Sequence, residues 1–195
     1  MKPMSEQVNR AIADWVKQGG TLLYVGGHDA YEKVASEWWN QPGMGGSPYN
    51  NLLAHLGLDS VTVGSFEDMT LLEYAGPAES AALFEGKNGL VNDTTGHIAA
   101  YSGEGFSPLL RGMDGEVLAM EATSGKGRLI SVGLPGYYFA STGEGADWMK
   151  ALCRYAMRYT GCRYVTSPAF VAERGRYTAV HALHEDYTLE GRYVD

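Results

Sequence analysis

A short apolar stretch followed by a Gly pair, a histidine and an aspartate is where this sequence could first do chemistry. Residues 19–31 read GGTLLYVGGHDAY, which places His28 and Asp29 directly after a predicted buried strand. Ligands of open α/β sheets bind outside the carboxyl ends of the strands, so this position suits ligand binding. A structural interpretation is also open: Asp29 caps the helix that follows, and Gly26 and Gly27 form a tight turn.

No metal site and no cofactor are predicted. Neighbouring residues on a turn, such as His28 and Asp29, rarely point at one target, and a metal needs further ligands. The other histidines are scattered along the chain without the spacing of metal ligands, and they are His55, His97, His181 and His184.

Aromatic side chains form a second candidate site. Trp38 and Trp39 are adjacent, and together with Tyr49, Tyr137 and Tyr138 they line one surface if their loops meet at the same edge of the sheet. Aromatic faces stack on sugar rings and also anchor protein interfaces. Adjacent helical residues diverge by about 100°, so one tryptophan can be buried while the other is exposed. Core packing, an interface and a glycan contact are all open here.

Composition and charge narrow the function classes. The chain has 195 residues with 45% hydrophobic and 19% charged residues, which is typical of a globular protein. A net charge of −8 without a Lys/Arg cluster argues against nucleic acid or an anionic membrane as partner. The apolar runs are too short to span a bilayer. Residues 1–18 contain no apolar segment of a secretory signal, and no compartment is indicated.

The two cysteines, Cys153 and Cys162, give neither a disulfide framework nor a zinc spacing. Cys153 falls within an apolar helical pattern and is interpreted as a small buried side chain on the core side of that helix. The stretch SGKGR (124–128) lacks the residues that flank Gly-Lys in a phosphate loop, and it is interpreted as a turn.

Hydrophobic spacing predicts helices that alternate with buried strands in the first part of the chain. The first helix begins near Ser5, presents its apolar residues on one face and ends at Gly19 and Gly20. That predicted face consists of Val8, Ala11, Ile12, Trp15 and Val16. The following elements are a strand at 21–25 buried on both faces, a helix at 31–40, a loop at 41–50, a helical stretch at 51–58 ended by Gly57, and a strand at 60–66.

The remainder divides into an irregular segment, a strand and helix, and a β-rich end. Residues 67–122 are predicted as short strands and loops over the edge of the sheet. Residues 125–133 form a turn and a buried strand, 134–142 a loop, and 143–161 the longest helix, capped by Gly161. The apolar face of that helix comprises Trp148, Leu152, Tyr155, Ala156 and Tyr159. Residues 163–195 read as a strand, a turn at ERG and a second strand, with a third beginning.

The order of these elements resembles the class I glutamine amidotransferase-like superfamily. The matching stretches are ADWVKQGGTLLYVGG (13–27) and GKGRLISVGLPGYYFASTGEGADWMKALCRYAMRYTG (125–161), which cover roughly a quarter of the chain. The chain is most similar to the non-catalytic branch, found as domains of carbohydrate-active enzymes such as the trimerisation domain of some bacterial β-galactosidases.

The resemblance implies a three-layer α/β/α sandwich with a mostly parallel, flavodoxin-like sheet at 1–162, followed by the start of a β-rich module at 163–195. The superfamily's first strands have no counterpart before the helix near Ser5, and the last residues end within a predicted strand. We therefore expect an excerpt of a longer protein.

The resemblance also indicates that the catalytic residues are missing. Catalytic members carry a Cys nucleophile on a turn after a strand, where this chain has Gly26, Gly27 and His28. The later base histidine would fall at 134–136, which reads Leu-Pro-Gly. Without a nucleophile–base pair, amide hydrolysis by the superfamily's route is excluded, and no catalytic residue is assigned.

Three functions remain open at this point. The first is a non-catalytic domain that packs against other domains of its parent protein or against sister subunits. The second is a carbohydrate or small-ligand binding domain that uses His28, Asp29, Trp38, Trp39, Tyr137 and Tyr138. The third is a hydrolase with an unrecognised carboxylate site, for example Asp29 with Glu37 or Glu144.

Overall fold

The computed structural model describes residues 6–26, 51–87, 89–92, 98–141, 143–161 and 169–182. The chain divides into two units, Met1–Thr160 and Gly161–Asp195. The helices are α1 (Glu6–Lys17), α2 (Asn51–His55), α3 (Gly136–Ser141) and α4 (Gly143–Met157), with a 3₁₀ helix at Ala78–Leu83. The strands of the first unit are β1 (Thr21–Val25), β2 (Thr62–Phe66), β3 (Met69–Leu71), β4 (Glu73–Tyr74), β5 (Leu90–Asn92), β6 (Ile98–Ser102), β7 (Ser107–Arg111), β8 (Val117–Ser124) and β9 (Gly127–Val132).

Helix α1 forms where the periodicity predicts it, but it buries a different face. It ends before Gly19, which has a φ of 123°. Glycine adopts this conformation without strain, and other residues do not. The buried stripe is Asn9, Ala13 and Val16, whereas Trp15 is 52% exposed. The predicted face is wrong at Val8, Ala11 and Trp15, which are exposed, because the helix turns Asn9, Ala13 and Val16 toward the sheet layer.

The main sheet is mixed. Among the described strands its order is β1-β9-β8-β6-β2, and β7 pairs with β8 and β4. Only the β1–β9 pair is parallel within this part of the chain, and the other pairings are antiparallel. The resemblance implies a mostly parallel sheet, whereas most of the described pairs are antiparallel. One reason is the short turn between β8 and β9, because two strands joined by a tight hairpin must be antiparallel.

Helices cover both faces of this sheet. Alternate residues of β9 point to opposite sides, so Leu129 joins the apolar cluster with α1 and α2, while Ile130 joins the one with α3 and α4. On the second side Trp148 and Tyr155 of α4 are fully buried, and Phe84 lies 5.7 Å from Trp148 between ring centroids. The predicted face of α4 is therefore confirmed, with Tyr159 only partly buried.

The hairpin between β8 and β9 holds the end of α1. Its turn contains Gly125 with φ of 60°, and the Lys126 N–H donates to the Lys17 carbonyl at 2.9 Å. A Cβ at Gly127 would lie 1.8 Å from the Val16 carbonyl oxygen, so only glycine fits. The SGKGR stretch is thus a turn, as predicted, and it caps a helix distant in sequence.

Two further segments differ from their predictions. Residues 67–122 do contain short strands, but β6 and β8 lie in the middle of the sheet, and β8 is buried at seven of its eight positions. The sequence of β8 shows no alternation of apolar and polar residues because the strand is covered on both faces. Residues 136–141 form α3 instead of a loop. Strand β1 is only half-buried along its length, whereas burial on both faces is predicted. Gly161 lies beyond the end of α4 and has no positive φ, so the predicted cap is wrong.

The second unit contains an antiparallel hairpin of β10 (Ala169–Arg174) and β11 (Tyr177–Ala182). Gly175 takes a φ of 61° in the two-residue turn, which is the turn predicted at ERG. The strand–turn–strand prediction is therefore confirmed for these residues.

Candidate functional site

The carboxyl ends of β1 and β9 meet because these two strands are parallel. The Gly26 N–H donates to the Val132 carbonyl at 3.0 Å, which continues the ladder one residue past β1. Gly26 is buried and supplies only backbone atoms. Four of the predicted site residues, His28, Asp29, Trp38 and Trp39, lie outside the described residues, and so does the predicted helix at 31–40.

The chain that leaves β9 is tied closely to its neighbours. The Gly133 N–H donates to the Leu118 carbonyl at 2.8 Å, and the Gly133 carbonyl accepts from Ala99 N–H at 2.9 Å. A Cβ on Gly133 would lie 2.0 Å from the Ala99 carbonyl oxygen. Leu134 and Pro135 follow and are buried, so the turn where a base would stand is apolar. We call Gly26, Gly133, Leu134 and Pro135 the carboxyl edge.

Helix α3 separates the two predicted tyrosines. Tyr137 is 55% exposed, while Tyr138 is 8% exposed and packs edge-on against Phe139 with ring centroids 5.2 Å apart. Burial, and to a smaller extent the charge of Glu144, raises the pKa of Tyr138 to about 12. The two rings therefore do not share a surface: Tyr138 is a core residue, and Tyr137 alone can meet a ligand or a partner.

The Cys153 thiol is not set up as a nucleophile. It lies within α4 and is half-buried, and burial raises the pKa of its thiol. A reactive cysteine needs the opposite shift, toward the thiolate. Cys153 is predicted to be a small buried side chain, and the structure buries it only partly.

A partly buried charged cluster lies on the α4 side of the sheet and was missed by sequence reasoning. Glu121 of β8 is 7% exposed, and its carboxylate accepts hydrogen bonds from the Arg128 guanidinium and the Tyr155 hydroxyl. The Arg128 guanidinium lies 3.8 Å above the centre of the Tyr159 ring. We call Glu121, Arg128, Tyr155 and Tyr159 the Glu121 cluster.

The Glu121 cluster is satisfied from within. Burial and the bond to Glu121 raise the pKa of Tyr155, so this hydroxyl stays protonated and donates. Tyr159 donates in turn to the Tyr155 oxygen at 3.3 Å. Because the charges of Glu121 and Arg128 offset each other and the hydroxyls of Tyr155 and Tyr159 both donate hydrogen bonds, the cluster serves to fasten the end of α4. Its one sequence signal is a single acidic residue in the apolar run VLAMEATS.

No group of three His, Cys, Asp or Glu side chains within the described ranges is placed to hold a metal ion. In the same part of the chain, no helix has the length and apolar character needed to cross a membrane. Glu144, which one hypothesis pairs with Asp29, is exposed at the start of α4.

The chain contains a mixed α/β domain with a central sheet, helices on both faces and an apolar carboxyl edge. No protein-family model matches the chain, and no curated protein does either. Among solved structures it is similar to a catalytic mutant of Gan42B, a GH42 β-galactosidase from G. stearothermophilus. That match has 13% identity and a TM-score of 0.54 and covers 87% of this chain and 21% of the other.

A second similar structure is the cold-adapted β-galactosidase from Rahnella sp. R3, with 19% identity, a TM-score of 0.52, and coverage of 87% of this chain and 24% of that one. An exo-β-1,4-mannosidase from Opitutaceae bacterium strain TAV5 gives 15% identity, a TM-score of 0.43, and coverage of 76% and 23%. At such identities the two β-galactosidase matches show the fold. The chain spans between a fifth and a quarter of the length of these structures.

Proposed function

We propose that this chain is a non-catalytic interaction domain of a larger carbohydrate-active protein, with the flavodoxin-like architecture of the amidotransferase-like superfamily. The observation that carries the proposal is the similarity in fold over 87% of the chain to a domain-sized share, 21–24%, of two β-galactosidases. In this proposal residues 1–162 form the α/β domain, and residues 163–195 open the next, β-rich module.

The carboxyl edge supports the non-catalytic part of the proposal. The turn after β9 is built from buried Leu134 and Pro135, and Gly26 contributes only its backbone. A nucleophile needs an adjacent base that is itself oriented by a third group. The described part of this edge has apolar side chains at the positions where such groups are expected. Burial also raises the pKa of the Cys153 thiol, which disfavours the reactive thiolate.

The experiment is a turnover assay on the purified chain with glutamine and with aryl β-galactosides and β-mannosides. We expect rates equal to those without protein. Turnover that disappears in both His28→Ala and Asp29→Ala would contradict the proposal, because it would show that the turn after β1 carries out catalysis. Circular dichroism of both variants controls for unfolding.

Carbohydrate binding is the second candidate function, and one observation favours it. Tyr137 exposes 55% of its surface one residue after the start of α3, next to the carboxyl edge. An exposed aromatic ring at this place can stack on a sugar ring. Calorimetric titration with a panel of mono- and disaccharides tests this candidate. Heat that is lost in Tyr137→Ala and kept in Tyr177→Ala, a tyrosine of the second unit that is 67% exposed, would establish it.

A further inference from the structure

Strand β2 ends the described order of the main sheet, and its outward backbone groups can be identified. The Ala99 N–H of β6 donates to the Gly133 carbonyl, on the side away from β2. Ala99 and its partner Ser65 therefore form a non-hydrogen-bonded pair, and so do Tyr101 and Val63 two residues away. Consequently Val63 and Ser65 direct their N–H and C=O groups away from β6.

Within β2 itself, the residues that usually block pairing with another chain are absent. The sequence of β2 is TVGSF, without lysine or proline, and it keeps register with β6 over all five residues. Thr62, Gly64 and Ser65 are exposed. Side-chain contacts fix the start of the strand, with Thr62 and Ser102 hydroxyls 2.6 Å apart. Among the described residues, the edge is thus regular, held in place at its start and without a paired strand on its outer side.

The charged residues that flank β2 in the sequence are of one sign. Asp59 precedes β2, Glu67 and Asp68 follow it, and all three are exposed. No lysine or arginine occurs between Lys33 and Lys87 in the sequence. A second copy pairing antiparallel would bring Asp59 against Glu67 and Asp68, which is repulsive. The complementary occupant therefore carries basic residues at both ends.

Gly64 adds a shape requirement. It lies on the same face of the strand as Phe66, which packs against the α4-side core, and a Cβ at Gly64 would meet nothing within 4 Å. A strand glycine without neighbours leaves space that a large side chain on the adjacent strand can cover. An aromatic residue opposite Gly64 would extend the apolar surface around Phe66.

We propose that the β2 edge binds an extended, basic-flanked peptide segment of a partner protein as an added strand, with an aromatic residue across from Gly64. The four outward groups of Val63 and Ser65 supply the main-chain bonds, and the acidic flanks select Lys or Arg at the ends. This inference stands whether or not the chain belongs to a carbohydrate-active protein.

The test uses the full chain and a fluorescein-labelled peptide, KTVYVTK, followed by fluorescence anisotropy at low ionic strength. Matched peptides are ETVYVTE, with reversed flanks, and KTVGVTK, without the aromatic residue. We expect KTVYVTK to bind most tightly, with each matched peptide weaker by about tenfold. Equal affinities for KTVYVTK and ETVYVTE, or no binding of KTVYVTK at millimolar concentration, would overturn the proposal.

Two protein variants locate the binding on β2. Ser65→Pro removes an outward N–H that β6 does not use and should weaken binding by about tenfold, whereas Ser65→Ala keeps the N–H and should bind normally. If Ser65→Pro does not fold, the double variant Glu67→Lys/Asp68→Lys, which reverses two exposed charges, replaces it. We expect this variant to show the same loss of about tenfold in affinity for the peptide. Unchanged binding in the folded variants contradicts the proposal. So does a dimer, seen by sedimentation, that Ser65→Pro or the reversal dissociates, because the occupant would then be a second copy.

Discussion

The two ends of the parallel β1–β9 pair are built from different chemistry. Toward the amino end, the β8–β9 hairpin caps α1 through backbone bonds, and the Glu121 cluster holds the end of α4 with a partly buried ion pair and two tyrosines. Arg128 of this cluster lies opposite Thr21, the first residue of β1, and Glu121 lies level with the middle of the strand pair. At the carboxyl edge, Gly26, Gly133, Leu134 and Pro135 provide backbone bonds and apolar packing. Among the described residues, the side-chain ion pair that holds α4 therefore lies away from the usual ligand side of an α/β sheet.

Both ends contain a glycine packed directly against a backbone carbonyl oxygen. Substitution of these glycines should have the largest effects on the free energy of unfolding. Gly127→Ala at the hairpin and Gly133→Ala at the carboxyl edge each press a Cβ against a backbone carbonyl oxygen, at 1.8 Å and 2.0 Å. We expect each to lower the free energy of unfolding by about 3 kcal/mol or more, measured by urea denaturation.

The control for these two variants is Gly136→Ala, where an added Cβ meets nothing within 4 Å. It lies in α3 and should leave stability unchanged or raise it by up to about 1 kcal/mol. A Gly127→Ala or Gly133→Ala protein as stable as this control would show that the edge in question is not packed as described.

Buried charge distinguishes the amino end from the carboxyl edge. Glu121→Ala leaves the Arg128 guanidinium and the Tyr155 hydroxyl without their acceptor, and we expect a loss of about 3 kcal/mol in the free energy of unfolding. The matched variant Glu144→Ala removes an exposed carboxylate near the carboxyl edge and should change stability by less than about 0.5 kcal/mol. Equal losses of unfolding free energy in the two variants would show that the Glu121 cluster stabilises the fold no more than an exposed carboxylate does.

The sequence predicts most elements but not the Glu121 cluster. Helices α1 and α4 and strands β1, β2 and β9 follow from periodicity and glycine stops, which are local signals. The partner of Glu121 depends on which helix covers β8, and nothing local encodes that choice. The exposed Trp15 makes the same point, because its ring lies against Gly20, where a Cβ would be 2.6 Å away, and not in the core.

The third effect is a loss of stability at alkaline pH that arises from Tyr138, which lies in α3 after the carboxyl edge. Because the pKa of Tyr138 is raised from 10.0 to about 12, its contribution is complete below pH 10 and is lost as the pH rises toward 12, since the unfolded chain ionises first. Urea denaturation at pH 9 to 11.5 should show this decline, and Tyr138→Phe should make it shallower. An identical slope in the variant would mean that Tyr138 is not buried.

The smallest effect concerns the thiol of α4. Since burial raises the pKa of Cys153, its labelling by iodoacetamide at pH 7.5 should be several-fold slower than that of free cysteine. The Cys162→Ser variant isolates the signal of Cys153. Labelling faster than free cysteine would indicate a stabilised thiolate and a reactive site in α4.

The central claim, that this chain is an interaction domain of a larger carbohydrate-active protein, is tested most directly on the native polypeptide. An antibody raised against the purified chain is used to isolate the protein from its source, and mass spectrometry identifies the sequences that share its polypeptide. We expect a mass several times 21.1 kDa with glycoside hydrolase sequence in the same chain. A native protein of 21.1 kDa that by itself hydrolyses glutamine or a glycoside would contradict the account.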